Sequence, residues 1–399
     1  MDAIASPLAG IRVLDLSRVL AGPYCGFLLS MLGADVIKVE DKAGDESRNW
    51  PPLVGDAGAT YKAINLNKRS IVIDLKSPEG QEIVRKLAAK SDVLIENFKS
   101  GTMERFGLHH EALKPLNPRL VYASITAFGS KGPRAAYPGY EALMQAYNGV
   151  MSMTGEPEGQ PVRCGVSYHD MSTGITTAFA IMTMLYRREH NGLGGKVDAS
   201  LLQTSLGLMA VQVTNYFQGG QVPTRLGSAH PMVVPYQVFL TRDRPVMIAS
   251  ANQNLFARLC KVLGLEGMVS DPRFKDNPTR VKHRDECLRA IQEKLMHWTR
   301  DEAVAKLHEA GVPCAPVNDL EELLKEDQIE AIETLIDVDD RENGTLRFTG
   351  LPFHLDGNGS PPARHSPRLG EHTRGVLTEI GLDASSIAAL FDKQVVAGA

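Results

Sequence analysis

Residues 12–40 read Arg12-Val-Leu-Asp-Leu-Ser-Arg-Val-Leu-Ala-Gly-Pro-Tyr-Cys-Gly-Phe-Leu-Leu-Ser-Met-Leu-Gly-Ala-Asp-Val-Ile-Lys-Val-Glu40. The apolar run at 12–17 predicts a strand, 24–32 predicts a helix, and 35–40 predicts a second strand. Further strands are expected at 70–75, 92–96 and 119–124. A helix is expected from Pro78, which fits a first helical position behind Ser77 as N-cap, to about residue 90. Strands separated by helical stretches argue for βαβ units around a largely parallel sheet, an α/β fold of Rossmann-like kind.

Further along, long helices are expected at 140–151, 172–189 and 201–217. The character changes after Gly219-Gly220: residues 225–236 are rich in Gly, Pro and His and read as an ordered loop. A strand at 246–250 and helices at 253–263, 283–297 and 300–310 follow. The expected organisation is a large domain over 1–220, a small α+β domain over 225–325 and a C-terminal segment over 326–399. That segment has β character at 336–353, a Gly/Pro-rich stretch at 356–367 and a final helix.

With 399 residues and 43% hydrophobic content, the chain can bury a sizeable core. A net charge of -4 and the absence of a long basic run speak against nucleic acid as partner. The apolar stretch at 175–185 is too short to span a bilayer, so no membrane is expected. Met1 to Pro7 reads as no secretion signal. Five scattered cysteines show neither metal spacing nor a disulfide framework. We expect reduced thiols, no metal site and a cytoplasmic protein.

Three places carry candidate chemistry. The turn 17–23 ends the first strand, where a parallel sheet meets its ligand, and Ala21 and Gly22 let a ligand approach the backbone. It lacks GxGxxG, so ordinary dinucleotide binding is not expected. A tight turn opening a helix at Pro23 explains the same residues. The cluster Glu96-Asn97-Phe98-Lys99, with Arg105, also follows a strand; Phe98 suits a ring, Lys99 or Arg105 a phosphate. Lys42, Arg48, Lys68 and Arg69 read singly as surface charges. Asp170, ahead of the helix expected at 172, is a natural N-cap. A helix N-terminus holds a carboxylate ionised, so Asp170 also suits a fixed nucleophile. His169 is not paired with it, and no Gly-x-Ser-x-Gly elbow is present.

In order along the chain stand Leu14-Asp15-Leu16, Ala21-Gly22-Pro23, the run 32–40, Gly44-Asp45, Arg48, Asn67-Lys68-Arg69-Ser70, Glu96-Asn97-Phe98 and Tyr140-Glu141. Asp170, Gly227-x-x-His230-Pro231-x-x-x-Pro235-Tyr236, Gly311-Val312-Pro313 and Leu369-Gly370-Glu371-His372-Thr373 complete the set. This ordered set resembles the class III CoA-transferases, the family of formyl-CoA transferase and carnitine CoA-transferase. The resemblance implies two ring-like subunits interlocked as a homodimer, with the C-terminal segment returning to the large domain. It implies Asp170 as nucleophile, and CoA or acyl-CoA as substrate with no tightly bound cofactor. It implies a CoA-binding set of Leu20, Ala21, Lys42, Leu75, Asn97, Phe98 and Arg105. Trp50, Tyr61 and Tyr140 match aromatic positions near the acyl or CoA channel. Arg225, His230 and Tyr140 are candidates for holding the acid substrate.

Departures narrow the expectation. Leu20 stands where the oxalate-using members have glutamine, Asp41 where they have an arginine on CoA, and Pro138 where they have a CoA-contacting lysine. The pattern looks closer to members that move CoA from succinyl-CoA to dicarboxylates. A racemase of the same fold is the nearest alternative, but Tyr140 stands where racemases place a histidine. A non-catalytic CoA-binding subunit is the other alternative, and an acid at 170 argues against it.

Overall fold

The computed structural model describes residues 6–340 and 342–398. The reading of Met1 to Pro7 therefore falls largely on residues 1–5, outside the described residues. The described chain divides into two units, 1–148 with 164–221 and 328–399, and 149–163 with 222–327.

The first unit is built on a seven-stranded sheet. Its strands are β1 (Arg12–Asp15), β2 (Asp35–Glu40), β3 (Arg69–Ile73), β4 (Val93–Glu96), β5 (Val121–Thr126), β6 (Gly195–Ser200) and a short β12 (Val396–Ala397). Their order is β12-β3-β2-β1-β4-β5-β6, and every pairing is parallel except β12 with β3. The chain runs outward from β1 to β3 on one side, then returns to start β4 on the other. The carboxyl ends of β1 and β4 thus flank a topological switch point, where α/β sheets bind ligands.

Central strands have both faces covered and are mainly apolar, as parallel sheets require, with charged residues at Asp15, Lys38, Glu40 and Glu96 toward their carboxyl ends. Val13, Leu14, Val93, Leu94 and Ile95 are fully buried. Helices α1 (Ala21–Met31) and α4 (Tyr168–Asn191) contribute to the core on one face. Helix α2 (Pro78–Ala89) and the C-terminal α9 (Thr373–Glu379) and α10 (Ala384–Asp392) contribute to the other. As expected, Ser77 caps α2, its Oγ accepting from Gly80 N–H at 2.9 Å, with Pro78 in the first turn. Two expected long helices are broken. The one at 140–151 ends as α3 (Glu141–Tyr147), because Gly149 takes φ 92°. The one at 201–217 divides at Met209 into α5 (Leu201–Leu208) and a second helix over Ala210–Gly219.

Helices α1 and α4 meet backbone to backbone at Gly174. A Cβ there would stand 2.7 Å from the Ala21 carbonyl oxygen and 3.1 Å from the Tyr24 ring. Gly174→Ala is expected to lose about 1–3 kcal/mol by overpacking, and to lower activity by displacing the first turn of α4. Chemical denaturation beside Gly207→Ala, where a new Cβ meets nothing within 4 Å, checks this. Equal stability of the two variants contradicts it.

The second unit holds an antiparallel sheet of β7 (Tyr236–Phe239), β8 (Val246–Ala249) and β9 (Cys314–Pro316). Helices α6 (Gln253–Leu263), α7 (Arg284–Leu295) and α8 (Arg300–Glu309) share its core with Phe239, Val246 and Ile248. Residues 149–163, assigned from sequence to the large domain, group with this unit. Arg225 donates to the carbonyls of Ser152, Glu156 and Pro157, and Gly227 N–H donates to Gly155. In the first unit, the β character expected at 336–353 is a hairpin of β10 (Leu335–Asp340) and β11 (Gly344–Thr349).

Among the described residues, no helix is long and apolar enough to cross a membrane. Nor is any group of three or more His, Cys, Asp or Glu placed to hold a metal.

Candidate active site

A cavity of about 300 Å³ opens at the switch point of the first unit. Leu20 and Ala21 line it from the β1–α1 turn, Asn97 and Phe98 from the end of β4, Tyr140 and Glu141 from the start of α3, and Asp170 from α4. Three sequence-distant candidates, the turn, the 97–98 pair and Asp170, therefore share one space.

Asp170 is not the N-cap expected from sequence. Helix α4 begins at Tyr168, with Ser167 as N-cap, so Asp170 sits inside the first turn. Glu141 takes the capping role instead. Its Oε1 accepts from His169 N–H at 3.4 Å and its Oε2 from Asp170 N–H at 3.2 Å. Gln145 donates to the same carboxylate at 2.7 Å. Burial works against the ionised form expected from the helix start. Asp170 is only 9% exposed. Burial first, and the Glu141 charge second, push its carboxyl up to about 7. His169 turns away from Asp170: its Nε2 faces Asn148 Nδ2 at 2.9 Å and its Nδ1 lies 3.6 Å from Glu141 Oε2. Burial holds its pKa below the usual histidine range.

Below the β1–α1 turn lies a set of buried charges. Asp15 pairs with Lys68 and Lys38 with Asp45, each at 2.9 Å and with all four side chains at 0% exposure. Arg48 grips Glu40 through two bonds of 2.8 Å. Arg48 and Lys68, read from sequence as surface charges, are interior. Two close approaches make room for them. A Cβ at Gly26 would stand 2.8 Å from Asp15 Oδ2, and one at Gly22 only 2.2 Å from Ser17 Cβ. Burial disfavours the charged form of Asp45, but Lys38 and the Ser47 N–H outweigh it and bring the carboxyl down to about 2. Above this layer Val19 adopts φ 70°. That conformation is foreign to a β-branched residue and costs on the order of 1–3 kcal/mol.

The remaining sequence candidates are placed as follows. Tyr61 is a correction: it is fully buried, with its hydroxyl 2.5 Å from Arg48 Nη2, and so cannot line a channel. Its aromatic position serves the Arg48–Glu40 pair. Trp50 is half-buried and is not in the cavity wall. Nor are three residues of the expected CoA-binding set. Lys42 is exposed and reaches Gln394 at 3.3 Å, Leu75 packs at the edge of the core, and Arg105 lies over the Phe106 ring at 5.9 Å. Arg225 and His230 belong to the second unit, where His230 stacks on Tyr236 with centroids 5.2 Å apart.

Sequence reading passed over Arg18. It lines the cavity, lies 5.4 Å from the Phe98 ring centre and pairs with Asp41 at 2.9 Å. The negative charge at 41, flagged as a departure, thus has a cation beside it. Glu141 stood in the motif set without a role; only the contact with α4 gives it one.

With this geometry in place, comparison with known proteins decides the family. The model of CoA-transferase family III matches residues 8–373. The chain belongs to that family. This CoA-transferase is 40% identical over 382 residues to the succinate–glutarate CoA-transferase of Agrobacterium fabrum, covering 94% of the chain and 96% of the relative. It is 35% identical to the human succinyl-CoA:glutarate CoA-transferase, covering 98% and 90%. A CAIB/BAIF family protein from Brucella suis has the same fold, with a TM-score of 0.84 at 37% identity over 94% of this chain and 99% of that one.

Proposed function

We propose that this CoA-transferase moves CoA from succinyl-CoA to a short dicarboxylic acid through covalent intermediates on Asp170. The observation that carries this is a buried carboxylate in the wall of a cavity at the switch point of the sheet. The names of the two glutarate-using relatives support the substrate class.

An Asp170 oxygen attacks the thioester carbonyl carbon. The C–S bond breaks and CoA leaves as thiolate, giving a mixed anhydride. The thiolate then attacks the aspartyl carbonyl, the C–O bond breaks, and succinate departs from an aspartyl-CoA thioester. The acceptor carboxylate repeats these steps in reverse, and its CoA ester leaves with Asp170 regenerated. Splitting one acyl exchange this way is ordinary nucleophilic catalysis.

The environment favours the covalent states. A buried carboxylate beside Glu141 is raised in energy by desolvation and like-charge repulsion. Acylation removes the charge, and both penalties go with it. Helix α1 starts without a side-chain cap, so of its first-turn residues Ala21 and Gly22 offer N–H groups, Pro23 having none, and Ala21 lines the cavity. Such donors are often worth about 3 kcal/mol each at a developing oxyanion. Leu20 and Phe98 supply apolar surface to a wall that also carries Arg18, Lys99 and Glu141, and closure of this space against water would protect an anhydride.

We assign the CoA contacts to the backbone of Leu20 and Ala21, with Asn97 and Phe98, and Lys42, Leu75 and Arg105 further out. Tyr140, with Trp50, is assigned to the acid. The active form is taken as an interlocked homodimer. Ile175, Phe179 and Tyr186 support this: spaced four and eleven along one face of α4, they are all exposed, Phe179 by 73%.

A panel of free acids with succinyl-CoA, the CoA esters read by mass spectrometry, tests the assignment. Glutaryl-CoA or another C4–C6 dicarboxylyl-CoA is expected. Transfer only to monocarboxylates, or none to any acid, overturns it.

A further inference from the structure

The β1–α1 turn is held with unusual completeness by side chains. Asp15 Oδ1 accepts from the N–H of Ser17 at 3.0 Å, and Lys38 Nζ donates to its carbonyl at 2.9 Å. Asn97 takes both polar groups of Arg18, accepting from its N–H and donating to its carbonyl, each at 2.8 Å. Val19 N–H points between both oxygens of Asp45, 3.2 Å from each. Asp45 also receives Lys38 Nζ at 2.9 Å and Ser47 Oγ at 2.8 Å. The residue so held is the one with φ 70°. The next two, Leu20 and Ala21, line the cavity with Asp170, as do Arg18 and Val19.

A buried ion pair is a poor way to gain stability, since desolvation offsets most of the attraction. Retaining one under a strained peptide has another use. Strain persists only where the surroundings over-determine it, and such places cluster at sites where geometry matters. We propose that Asp45, fixed by Lys38, is a positioning residue for the transfer reaction: by clamping the Val19 peptide in the left-handed region it aims the backbone of Leu20 and Ala21 at the space where Asp170 reacts. The proposal rests on the transfer reading above. It goes beyond that reading in giving a buried, substrate-remote pair a share in the rate.

The competing role is purely structural, because Asp45 also caps the short helix Glu46–Asn49 through Ser47 N–H. Removing one partner strands a buried charge, so a single variant can fail to fold. Lys38→Met/Asp45→Leu removes both charges, keeps the branching of both side chains and is expected to fold. Its kcat should fall about 10–50-fold, the range set by a misplacement of under 1 Å, while KM for succinyl-CoA moves less than threefold. Glycine enters the left-handed region freely. Adding Val19→Gly to the double variant should therefore restore kcat at least fivefold.

Amide exchange of residues 17–21 gives a reading independent of turnover and should be faster in the double variant. Wild-type kcat in the double variant overturns the proposal. So does a loss that Val19→Gly leaves unrestored, or unchanged exchange. An inactive wild type with faster exchange in the variant would instead count against the transfer reading, and leave the clamp standing.

Discussion

Asp170→Ala is expected to abolish CoA transfer, with kcat falling on the order of 10⁴–10⁶-fold, the scale seen when a covalent nucleophile is removed. Alanine cannot accept the acyl group, and the other carboxylates in the cavity wall are Glu46 and Glu141. Glu141 is the nearest, but its oxygens are occupied by the N–H groups of His169 and Asp170 and by Gln145. CoA binding should change little, because the contacts assigned to it lie on the β1–α1 turn and at Asn97 and Phe98. Two measurements check this: turnover with succinyl-CoA and glutarate, and CoA affinity by calorimetry. Hydroxylamine trapping after succinyl-CoA treatment should mark Asp170 in the wild type and nothing in the variant. Residual turnover above about one percent of wild type, or a label on another residue, would falsify the assignment.

Glu141 should contribute to the pH dependence. Asp170 reacts as the carboxylate, and its carboxyl is raised to about 7, by burial first and Glu141 second. Protonation silences it, so kcat/KM should rise with pH through a midpoint near 7 in the free enzyme. Glu141→Gln keeps the shape and an acceptor oxygen but removes the charge. The midpoint should then move to lower pH, stopping above the ordinary aspartate value because burial remains. At pH 8 the loss should be modest. Glu141→Ala also shifts the midpoint down, but leaves the first N–H groups of α4 without their acceptor and frees Asp170 to move. Misplacing a nucleophile by about 1 Å costs roughly 100-fold, and a kcat loss of that size is expected. A pH profile in Glu141→Gln that overlays the wild type means the charge of Glu141 does not act on Asp170.

Much of the sheet was legible because its strands obey simple rules. Runs such as Val13-Leu14 and Val93-Leu94-Ile95 are buried on both faces, so their composition alone marks them. Strand β6 was missed for the opposite reason. It lies at the edge of the sheet, and its Lys196 and Asp198 are exposed and paired with each other at 2.9 Å. Its polarity imitates a loop. The short β12 escaped because two residues carry no pattern. Its identity comes from Val396 pairing with Ile73, far away in sequence.

The site was legible in residue type and obscure in arrangement. Asp170 stood out as an acid near a helix start, and the ordered motifs brought it together with Ala21, Asn97 and Phe98. Its position inside the first turn depended on where α4 begins. That start is set by Glu141, an acceptor supplied by another helix. Local preference for Asp as N-cap therefore misled, since the better partner came from 29 residues away. Tyr61 was misjudged in the same manner: an aromatic residue quoted for a channel is enclosed by Arg48 and Glu40.

By itself, then, the sequence determined the α/β class, the strands of the sheet interior and the chemical groups available for acyl transfer. These follow from short-range patterns and from side-chain identity. The tertiary structure alone decided the charge on Asp170, the interior placement of Lys38, Asp45, Arg48 and Lys68, and the left-handed turn at Val19. Each depends on desolvation and on partners from distant segments. Burial and charge proximity are properties of the packed molecule, and a linear pattern of residues does not encode them locally.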